Sequence, residues 1–393
     1  MRVGLIQPAS PFLLDQGVHG PLGLWHLGAA LREAGHEPVY ADLGLGDALP
    51  DDADVWCLTG TTPQRDAMAA VVRQAPVPVI VGGPHASADP NDVLSMGEVT
   101  AFVGEGEVQL PILLGRLLPA VVWAPRIADL DTLPFPDRSQ AHRYHYRLRD
   151  RAGAEHEAAT AITSRGCPHH CAFCSGGVWQ RRYTARSAAN VLREMWALRE
   201  RYEAVHFYDD SLAIDRHRLK ALCDGLGQTG LVWRCFVRAD QMTPDILRDM
   251  AAAGCVEIGL GAESGAQTIL DTIHKGETVA QQSEAIRWAH AAGIRVKAFL
   301  IVGLPGESHE TLAETEAFLR ATRPDDLDVS VLQLYPGAPL YENPAGLRVT
   351  GAGGWYKGKP GTYRAAHATE WLSAAEIVAA RDYLEATYKA VTA

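Results

Sequence analysis

Short apolar runs that alternate with amphipathic stretches constrain the fold of this chain more than any other feature. In the first 118 residues the apolar runs occupy residues 2–8, 37–43, 55–59 and 77–82. Between them, residues 20–35 and 65–74 carry apolar side chains at helical spacing. Strand–helix alternation of this kind predicts a parallel, doubly wound α/β sheet.

From residue 159 the alternation resumes with a longer period. The candidate strands are residues 159–164, 204–209, 231–239, 256–261, 296–302 and 328–335. Six β/α units in about 180 residues predict an incomplete β/α barrel. We therefore expect a first domain over residues 1–120, a linker over 121–156, a partial (β/α)6 barrel over 157–342 and a short C-terminal extension over 343–393. The extension should contain a final helix.

Composition excludes several broad classes of protein. The 393 residues are 47% hydrophobic and 21% charged, which is typical of a globular chain. A net charge of −11 argues against nucleic-acid binding by bulk charge. The sequence contains no run of about 18 apolar residues, so we expect no membrane span. The seven cysteines are odd in number and partly clustered, so we expect a reduced, cytoplasmic protein without a disulfide framework.

Three of those cysteines, Cys167, Cys171 and Cys174, lie within eight residues, directly after a predicted strand. Three thiolates on one short loop can converge on a metal centre, and soft thiolate ligands select zinc or an iron–sulfur cluster. A structural zinc site needs a fourth ligand, which His169 or His170 would supply. An iron–sulfur cluster held by three cysteines would leave one iron open. The spacing leaves both alternatives open.

The cysteine loop resembles that of the radical S-adenosylmethionine (radical SAM) superfamily. The shared pattern is Cys-x3-Cys-x-aromatic-Cys after the first barrel strand, with Phe173 in the aromatic position. The resemblance implies that the three cysteines hold a [4Fe–4S] cluster whose open iron binds S-adenosylmethionine. It also implies an external one-electron reductant such as flavodoxin or ferredoxin, and a 5′-deoxyadenosyl radical that abstracts hydrogen from a small-molecule substrate.

Five later strand ends resemble the motifs that this superfamily places around S-adenosylmethionine. They are residues 208–211, 237–240, 261–265, 301–307 and 334–337. The resemblance implies that the cofactor-binding residues include Phe173, Asp209, Asp210, Arg238, Glu263, Ser264 and Gly303. Structural alternatives remain, because paired aspartates can cap a helix and Arg238 can pair with Asp240.

The first domain resembles the Rossmann-like, cobalamin-binding domain that precedes many radical SAM barrels. The matching stretches are residues 20–36, 79–86 and 102–107. The resemblance implies that cobalamin binds near Gly82, Gly83 and His85, which follow a strand at the edge where such sheets bind ligands. The chain has no Asp-x-His-x-x-Gly run to supply an axial histidine. The alternative is a vestigial domain that only supports the barrel, and a capping role is open for His85.

Three further residues are candidates for the substrate side of the reaction. Strand parity predicts Lys297 and Tyr335 inside the barrel, where each could meet substrate. Cys235 could donate hydrogen to a substrate radical, although its parity is opposite to that of Arg238 and favours a core thiol. Trp355, Tyr356 and Tyr363 could close the barrel mouth or simply anchor the C-terminal segment.

These observations predict a radical SAM enzyme acting on a small metabolite, plausibly in natural-product (antibiotic) biosynthesis. With cobalamin present, the expected reaction is C-methylation. Without it, the alternatives are radical dehydration, decarboxylation, deoxygenation or epimerisation of a sugar-like or nucleoside-like substrate. Two non-enzymatic alternatives are a zinc-stabilised binding protein and a cobalamin or redox sensor. Neither nucleic acid nor membrane is expected as a partner.

Overall fold

The structure is a computed structural model, and it describes residues 1–179, 181–350, 358 and 361–389. Trp355 and Tyr356, two candidates for closing the barrel mouth, lie outside the described residues. Among the described residues, no helix is both long enough and apolar enough to cross a membrane.

The first domain is a parallel sheet covered by helices on both faces, as the alternation predicted. Within residues 1–123, six strands pair in the order β2-β1-β3-β4-β5-β6. They are β1 (Arg2–Gln7), β2 (Glu37–Asp42), β3 (Val55–Thr59), β4 (Val79–Gly82), β5 (Thr100–Val103) and β6 (Val121–Trp123). The helices between them are α1 (Leu22–Glu33), α2 (Arg65–Val72), α3 (Gly83–Ala88), α4 (Pro90–Leu94) and α5 (Gly106–Leu113).

Strand β1 shows why the sheet is covered on both faces. Val3 and Leu5 pack into one core, while Ile6, of opposite parity, packs into the other. A strand buried on both faces reads as a continuous apolar run, because neither set of alternating side chains meets water. The doubly wound prediction for this domain is therefore confirmed.

The predicted linker is tied to both neighbours. Its first residues form β6, the last strand of the first sheet, and β7 (Arg147–Arg149) pairs antiparallel with the first barrel strand. Between them, Asp137 accepts hydrogen bonds from Arg32 and Tyr40 of the first domain. The next residue, Arg138, donates to Glu194 in the barrel at 2.9 Å. Adjacent side chains of the linker thus join the two domains.

The second sheet curls into a partial barrel. Within residues 147–331, of which the structure describes all but residue 180, seven strands pair in the order β15-β14-β13-β12-β11-β8-β7. The strands after β7 are β8 (Glu155–Ala161), β9 (Ser164–Arg165), β10 (Thr184–Ala185), β11 (Ala204–Phe207), β12 (Val232–Val237), β13 (Cys255–Glu263), β14 (Arg295–Val302) and β15 (Asp326–Val331). Strands β9 and β10 form a separate antiparallel pair.

Helices cover one face of the barrel sheet. They are α6 (Ala188–Leu198), α7 (Arg216–Thr229), α8 (Pro244–Ala252), α9 (Gln267–Thr272), α10 (Val279–Ala291) and α11 (His309–Thr322). Along β14, Ala298 and Leu300 pack into the helix-covered core, whereas Lys297 and Phe299 have the opposite parity. We call the face that carries Lys297 and Phe299 the inner face of the barrel. The predicted partial β/α barrel is therefore confirmed.

The C-terminal extension packs against the open end of the barrel sheet. It contains α12 (Pro339–Glu342), β16 (Leu347–Val349), β17 (His367–Thr369) and α13 (Ala374–Tyr388). Ser373 caps α13, and Glu376 completes the capping box expected from the sequence. Ile377 and Leu384 of α13 join the helix-side core of the barrel.

Candidate active site at the domain interface

The cysteine loop is closed at its base by the β9–β10 pair, which brackets residues 166–183. Gly166 has a φ of +85°, and a Cβ there would lie 2.1 Å from the carbonyl oxygen of Arg182, so the close approach requires glycine. Farther along, the amide of Ala172 donates to the carbonyl of Ile273 at 2.8 Å. Arg181 donates to the carbonyls of His169 and Cys174. The loop is thus held mainly by backbone contacts, which leave the thiols free for a metal centre.

Two of the three thiols, those of Cys167 and Cys171, lie near buried cations. Burial raises the pKa of both Cys167 and Cys171, but Arg238 and Lys275 oppose that effect at Cys171. Arg238 Nη1 lies 3.8 Å from Cys171 Sγ. Metal binding requires thiolates, and nearby cations favour the thiolate form. This setting fits an anionic, thiolate-bound cluster.

The three cysteines are the donors that the loop offers to a metal centre. Across the described part of the chain, no three His, Cys, Asp or Glu side chains are grouped so that they could hold one metal ion. Each thiolate of a [4Fe–4S] cluster binds a different iron, so its three cysteines need not converge on one point.

Next to the cysteine loop, a network of buried charges occupies the ends of strands β12 and β13. Arg238 pairs with Asp240 at 3.1 Å and with Glu277 at 3.3 Å. Lys275 Nζ lies 3.0 Å from Glu263 Oε1. The sequence analysis selected Arg238 and Glu263 but missed Lys275 and Glu277. Both lie in the turn after α9, and the one local signal was the glycine between them, which has a φ of +69°.

Glu263 itself has an unusual backbone. Its φ is +65°, and the β13–β14 pairing shifts register between Gly261 and Glu263. A bulge at a strand end re-aims the side chain, and positive φ in a non-glycine residue is often found at functional sites. The next residue, Ser264, is buried and its Oγ accepts from the amide of Ala266. Contact of Glu263 with S-adenosylmethionine stays a prediction, while Ser264 braces the turn behind it.

The two aspartates after β11 both hold the start of the cysteine loop. Asp209 is fully buried and accepts hydrogen bonds from Thr163, between β8 and β9, and from Ser164, the first residue of β9. Asp210 accepts from the amide of Gly166 at 2.9 Å. Burial raises the pKa of Asp209. The observed contacts assign a bracing role to Asp209, and direct contact with S-adenosylmethionine stays a prediction for both residues.

Gly303 follows β14 in a loop that is supported from behind. Its φ is +90°, its amide donates to Glu307, and its carbonyl oxygen lies 2.8 Å from His367 Nε2 of β17. A Cβ at Gly303 would lie 2.8 Å from the same nitrogen. Burial raises the pKa of the Glu307 carboxyl to about 8.

Phe173, the aromatic residue of the cysteine loop, packs on an apolar cluster that includes Ala172, Ala266 and Leu304.

The three substrate-side candidates lie in different surroundings. Lys297 is on the inner face, but its Nζ is already 3.1 Å from Asp326 and 3.8 Å from Asp328. Tyr335 is half-buried, and burial raises the pKa of its hydroxyl to about 12. Cys235 lies in the core between sheet and helices. Because its thiol is on the opposite side of the sheet from the inner face, its position contradicts the hydrogen-donor role and supports the core alternative.

A cavity of about 340 Å³ lies where the carboxyl ends of the first-domain strands meet the barrel. Gly82 and Gly83 line it, as predicted for a ligand site at this edge. Gly83 has a φ of +84°, and a Cβ there would lie 2.2 Å from Thr59 Oγ1. Glycine at this position therefore lets the turn after β4 pack closely against Thr59, which also lines the cavity. His85 does not line this cavity: its ring is fully buried between Thr62 and Asp92.

The same cavity is continuous with the base of the cysteine loop. Arg165 lines it, pairs with Glu105 and Glu107 at 2.7 Å each, and precedes Gly166 of the loop. Ile162 and Trp179 of the barrel also line the cavity. Glu105 is 3% exposed and also pairs with Arg126 at 2.9 Å. The sequence analysis missed this interdomain ion network, because its members are distant in sequence.

The cavity also fits the cofactor that the first-domain fold implies. Backbone and glycine at the strand ends allow close approach of a large ring system, which a row of Cβ atoms would block. Val178 and Trp179 of the cysteine loop line the space, so a ligand bound there would lie beside the loop. The residues present are therefore suited to cobalamin.

Comparisons with known proteins agree with this architecture. The family model "Radical SAM superfamily" matches residues 161–319, and the model "B12 binding domain" matches residues 15–114. The fold and the cysteine loop thus define a radical SAM enzyme. The chain belongs to the radical SAM superfamily, in the cobalamin-binding-domain subgroup, whose cofactors are a [4Fe–4S] cluster, S-adenosylmethionine and cobalamin.

Three relatives illustrate the range of this subgroup. An uncharacterised methyltransferase of Pyrococcus horikoshii is 27% identical over 87% of this chain and 83% of its own length. The anaerobic magnesium-protoporphyrin IX monomethyl ester cyclase of Cereibacter sphaeroides is 28% identical over 82% of this chain and 60% of its own length. The structure of the methyltransferase TsrM from Kitasatospora setae, with cobalamin and a [4Fe–4S] cluster bound, has a TM-score of 0.70 at 19% identity, covering 90% of this chain and 78% of TsrM.

Proposed function

We propose that this enzyme transfers a methyl group to a carbon atom of a small metabolite, using cobalamin and S-adenosylmethionine. The observation that carries the proposal is the position of the first-domain cavity beside the cysteine loop, with Arg165 contributing to both. A scaffold-only first domain would have no need for such a cavity at this edge. Curated relatives named as methyltransferases add support.

The residues of the chain divide the work between two sites. Cys167, Cys171 and Cys174 hold the cluster, while Arg238 and Glu263 face the S-adenosylmethionine that it binds. When bound, the cluster supplies the electron that cleaves S-adenosylmethionine, and cobalamin supplies the methyl group. The guanidinium of Arg238 suits a carboxylate, and the carboxylate of Glu263 suits an ammonium or ribose hydroxyls.

The interface between the two domains is the proposed place of reaction. Arg165 ties that interface together through buried ion pairs. Holding the two cofactor sites in a fixed relation is what a reaction that needs both in one turnover requires. We propose that the substrate is a small molecule of natural-product assembly, and that a flavodoxin- or ferredoxin-type protein is the reductant.

The test uses S-adenosylmethionine with a deuterated methyl group, because it does not need the substrate. Anaerobically purified enzyme, loaded with cobalamin and iron–sulfur cluster and then reduced, should form S-adenosylhomocysteine and label the bound cobalamin. It should also form 5′-deoxyadenosine. Enzyme that contains both metal cofactors but produces no S-adenosylhomocysteine would contradict methylation.

A second candidate is radical chemistry without methyl transfer. The match to the cyclase of Cereibacter sphaeroides covers 82% of this chain. A protein with a similar sequence is thus named for a reaction other than methyl transfer. The experiment distinguishes the two, because 5′-deoxyadenosine without S-adenosylhomocysteine would favour this second candidate.

A further inference from the structure

One histidine of the first domain lacks the partners that a buried polar side chain normally has. His26, in the second turn of α1, is 7% exposed and lines the 340 Å³ cavity together with Arg165 and Ile162 of the barrel. Within the described part of the chain, neither of its ring nitrogens has a hydrogen-bond partner. Buried polar groups are nearly always hydrogen-bonded, so two unpartnered nitrogens on a residue that lines a cavity point to a missing partner.

The charged neighbours of His26 do not need that ligand. Arg165 is paired with Glu105 and Glu107, and Arg186 with Glu194. Burial and these cations lower the pKa of His26 well below its usual range. The ring is therefore neutral, and a neutral imidazole offers one N–H donor and one nitrogen acceptor.

Those two functions match a carboxamide, which also donates and accepts. The rim of a corrin ring carries such groups. Coordination of cobalt fits less well, because a metal-bound histidine has its second nitrogen held by a carboxylate, carbonyl or water. Neither nitrogen of His26 has a partner of that kind among the described residues.

We propose that His26 hydrogen-bonds a carboxamide on the rim of the bound cobalamin, an inference that rests on the proposed function. Because Arg165 and Ile162 of the barrel line the same cavity, the contact would lie at the domain interface. His26 is then a positioning residue that orients the ring toward the cysteine loop.

Binding of hydroxocobalamin to the cluster-containing enzyme, followed by visible absorption, tests the proposal. His26→Phe keeps a ring but removes both nitrogens, and we expect at least a tenfold increase in Kd. His26→Gln keeps a donor and an acceptor and should bind within about threefold of the unsubstituted enzyme. Iron and sulfide content reports folding in each variant, and His26→Leu provides a second apolar replacement should His26→Phe fail to fold.

His206→Phe is the matched control. His206, on β11, is also buried with both ring nitrogens unpartnered among the described residues, but it stacks on Tyr146 at 5.3 Å and does not line the cavity. Its replacement should leave the Kd for hydroxocobalamin unchanged.

Three outcomes overturn parts of this picture separately. If the unsubstituted enzyme binds hydroxocobalamin and His26→Phe binds equally well, the role of His26 is wrong and the proposed function stands. Nitrogen hyperfine splitting of the reduced cofactor, lost in His26→Gln, would replace the carboxamide contact with cobalt coordination. If the unsubstituted enzyme binds no hydroxocobalamin, the proposed function itself fails.

Discussion

The two cofactor regions of this enzyme are built in opposite ways. At the barrel end, the site consists of buried charged side chains that pair with one another, such as Arg238 with Glu277 and Lys275 with Glu263. In the first domain, the cavity is lined mainly by apolar side chains and by glycines at the strand ends, such as Gly82 and Gly83. The first design suits small ionic ligands, and the second suits a large ring that needs room.

The difference predicts how each region responds to substitution. Removing one partner of a buried ion pair leaves an uncompensated charge, so the barrel end should lose stability. Adding a side chain to a glycine-lined edge fills space, so the first domain should lose its ligand before it loses its fold. The predictions below test this contrast, from the largest expected effect to the smallest.

Replacing a cluster cysteine should abolish one site and spare the other. We expect Cys171→Ala to lose its cluster, with iron and sulfide at background, because two remaining thiolates cannot hold it. Hydroxocobalamin binding should persist. Cys223→Ala, a replacement in the helix-side core, should keep its cluster. Loss of both cofactors in Cys171→Ala would show that the two sites are not independent.

Gly83→Ala should weaken the binding of cobalamin to the first-domain cavity. The new Cβ would lie 2.2 Å from Thr59 Oγ1, and we expect hydroxocobalamin affinity to fall by at least tenfold while the cluster remains. Gly35→Ala is the control, because Gly35 has a similar φ of +82° with nothing within 4 Å of the added atom. Both replacements should cost about 1–3 kcal/mol of stability from backbone strain. Equal cobalamin affinity in the two variants would contradict the cavity assignment.

Lys275→Met should destabilise the barrel. Glu263 would be left buried without its partner, and we expect the free energy of unfolding in urea to fall by about 3–5 kcal/mol. Lys220→Met breaks an exposed pair with Asp224 on α7, where we expect little loss because water screens the two charges. Similar losses in the two variants would mean that the buried network contributes no more than a surface ion pair.

Glu307→Gln should change how stability depends on pH. Burial raises the pKa of Glu307 from 4.5 to about 8, so the folded state keeps a proton that the unfolded state releases above pH 4.5. The stabilising contribution is complete below pH 4.5 and is lost as pH rises toward 8. Urea midpoints between pH 5 and 8.5 should therefore fall less steeply in Glu307→Gln than in the unsubstituted enzyme. Parallel profiles would show that the carboxyl is ionised throughout.

Local patterns predicted the sites formed by adjacent residues. The cysteine spacing and Phe173 identified the cluster loop, and Gly82 and Gly83 identified the cavity edge. The patterns failed where contacts join distant segments. Lys275 and Glu277, in a turn after α9, meet Arg238 and Glu263 only because neighbouring strands bring their ends together. His85 follows the glycine pair but is buried between Thr62 and Asp92, which its position in sequence could not show.

The sequence by itself determined the two α/β domains and the superfamily, and it predicted the three cluster cysteines, because periodicity and short motifs are local properties. Tertiary structure decided that Asp209 braces the loop, that Cys235 is a core thiol, and that Lys297 forms an ion pair with Asp326. It also decided that Arg165 joins the two sites through Glu105 and Glu107. The physical reason is that burial and pairing depend on what packs against a side chain, and those neighbours come from far along the chain.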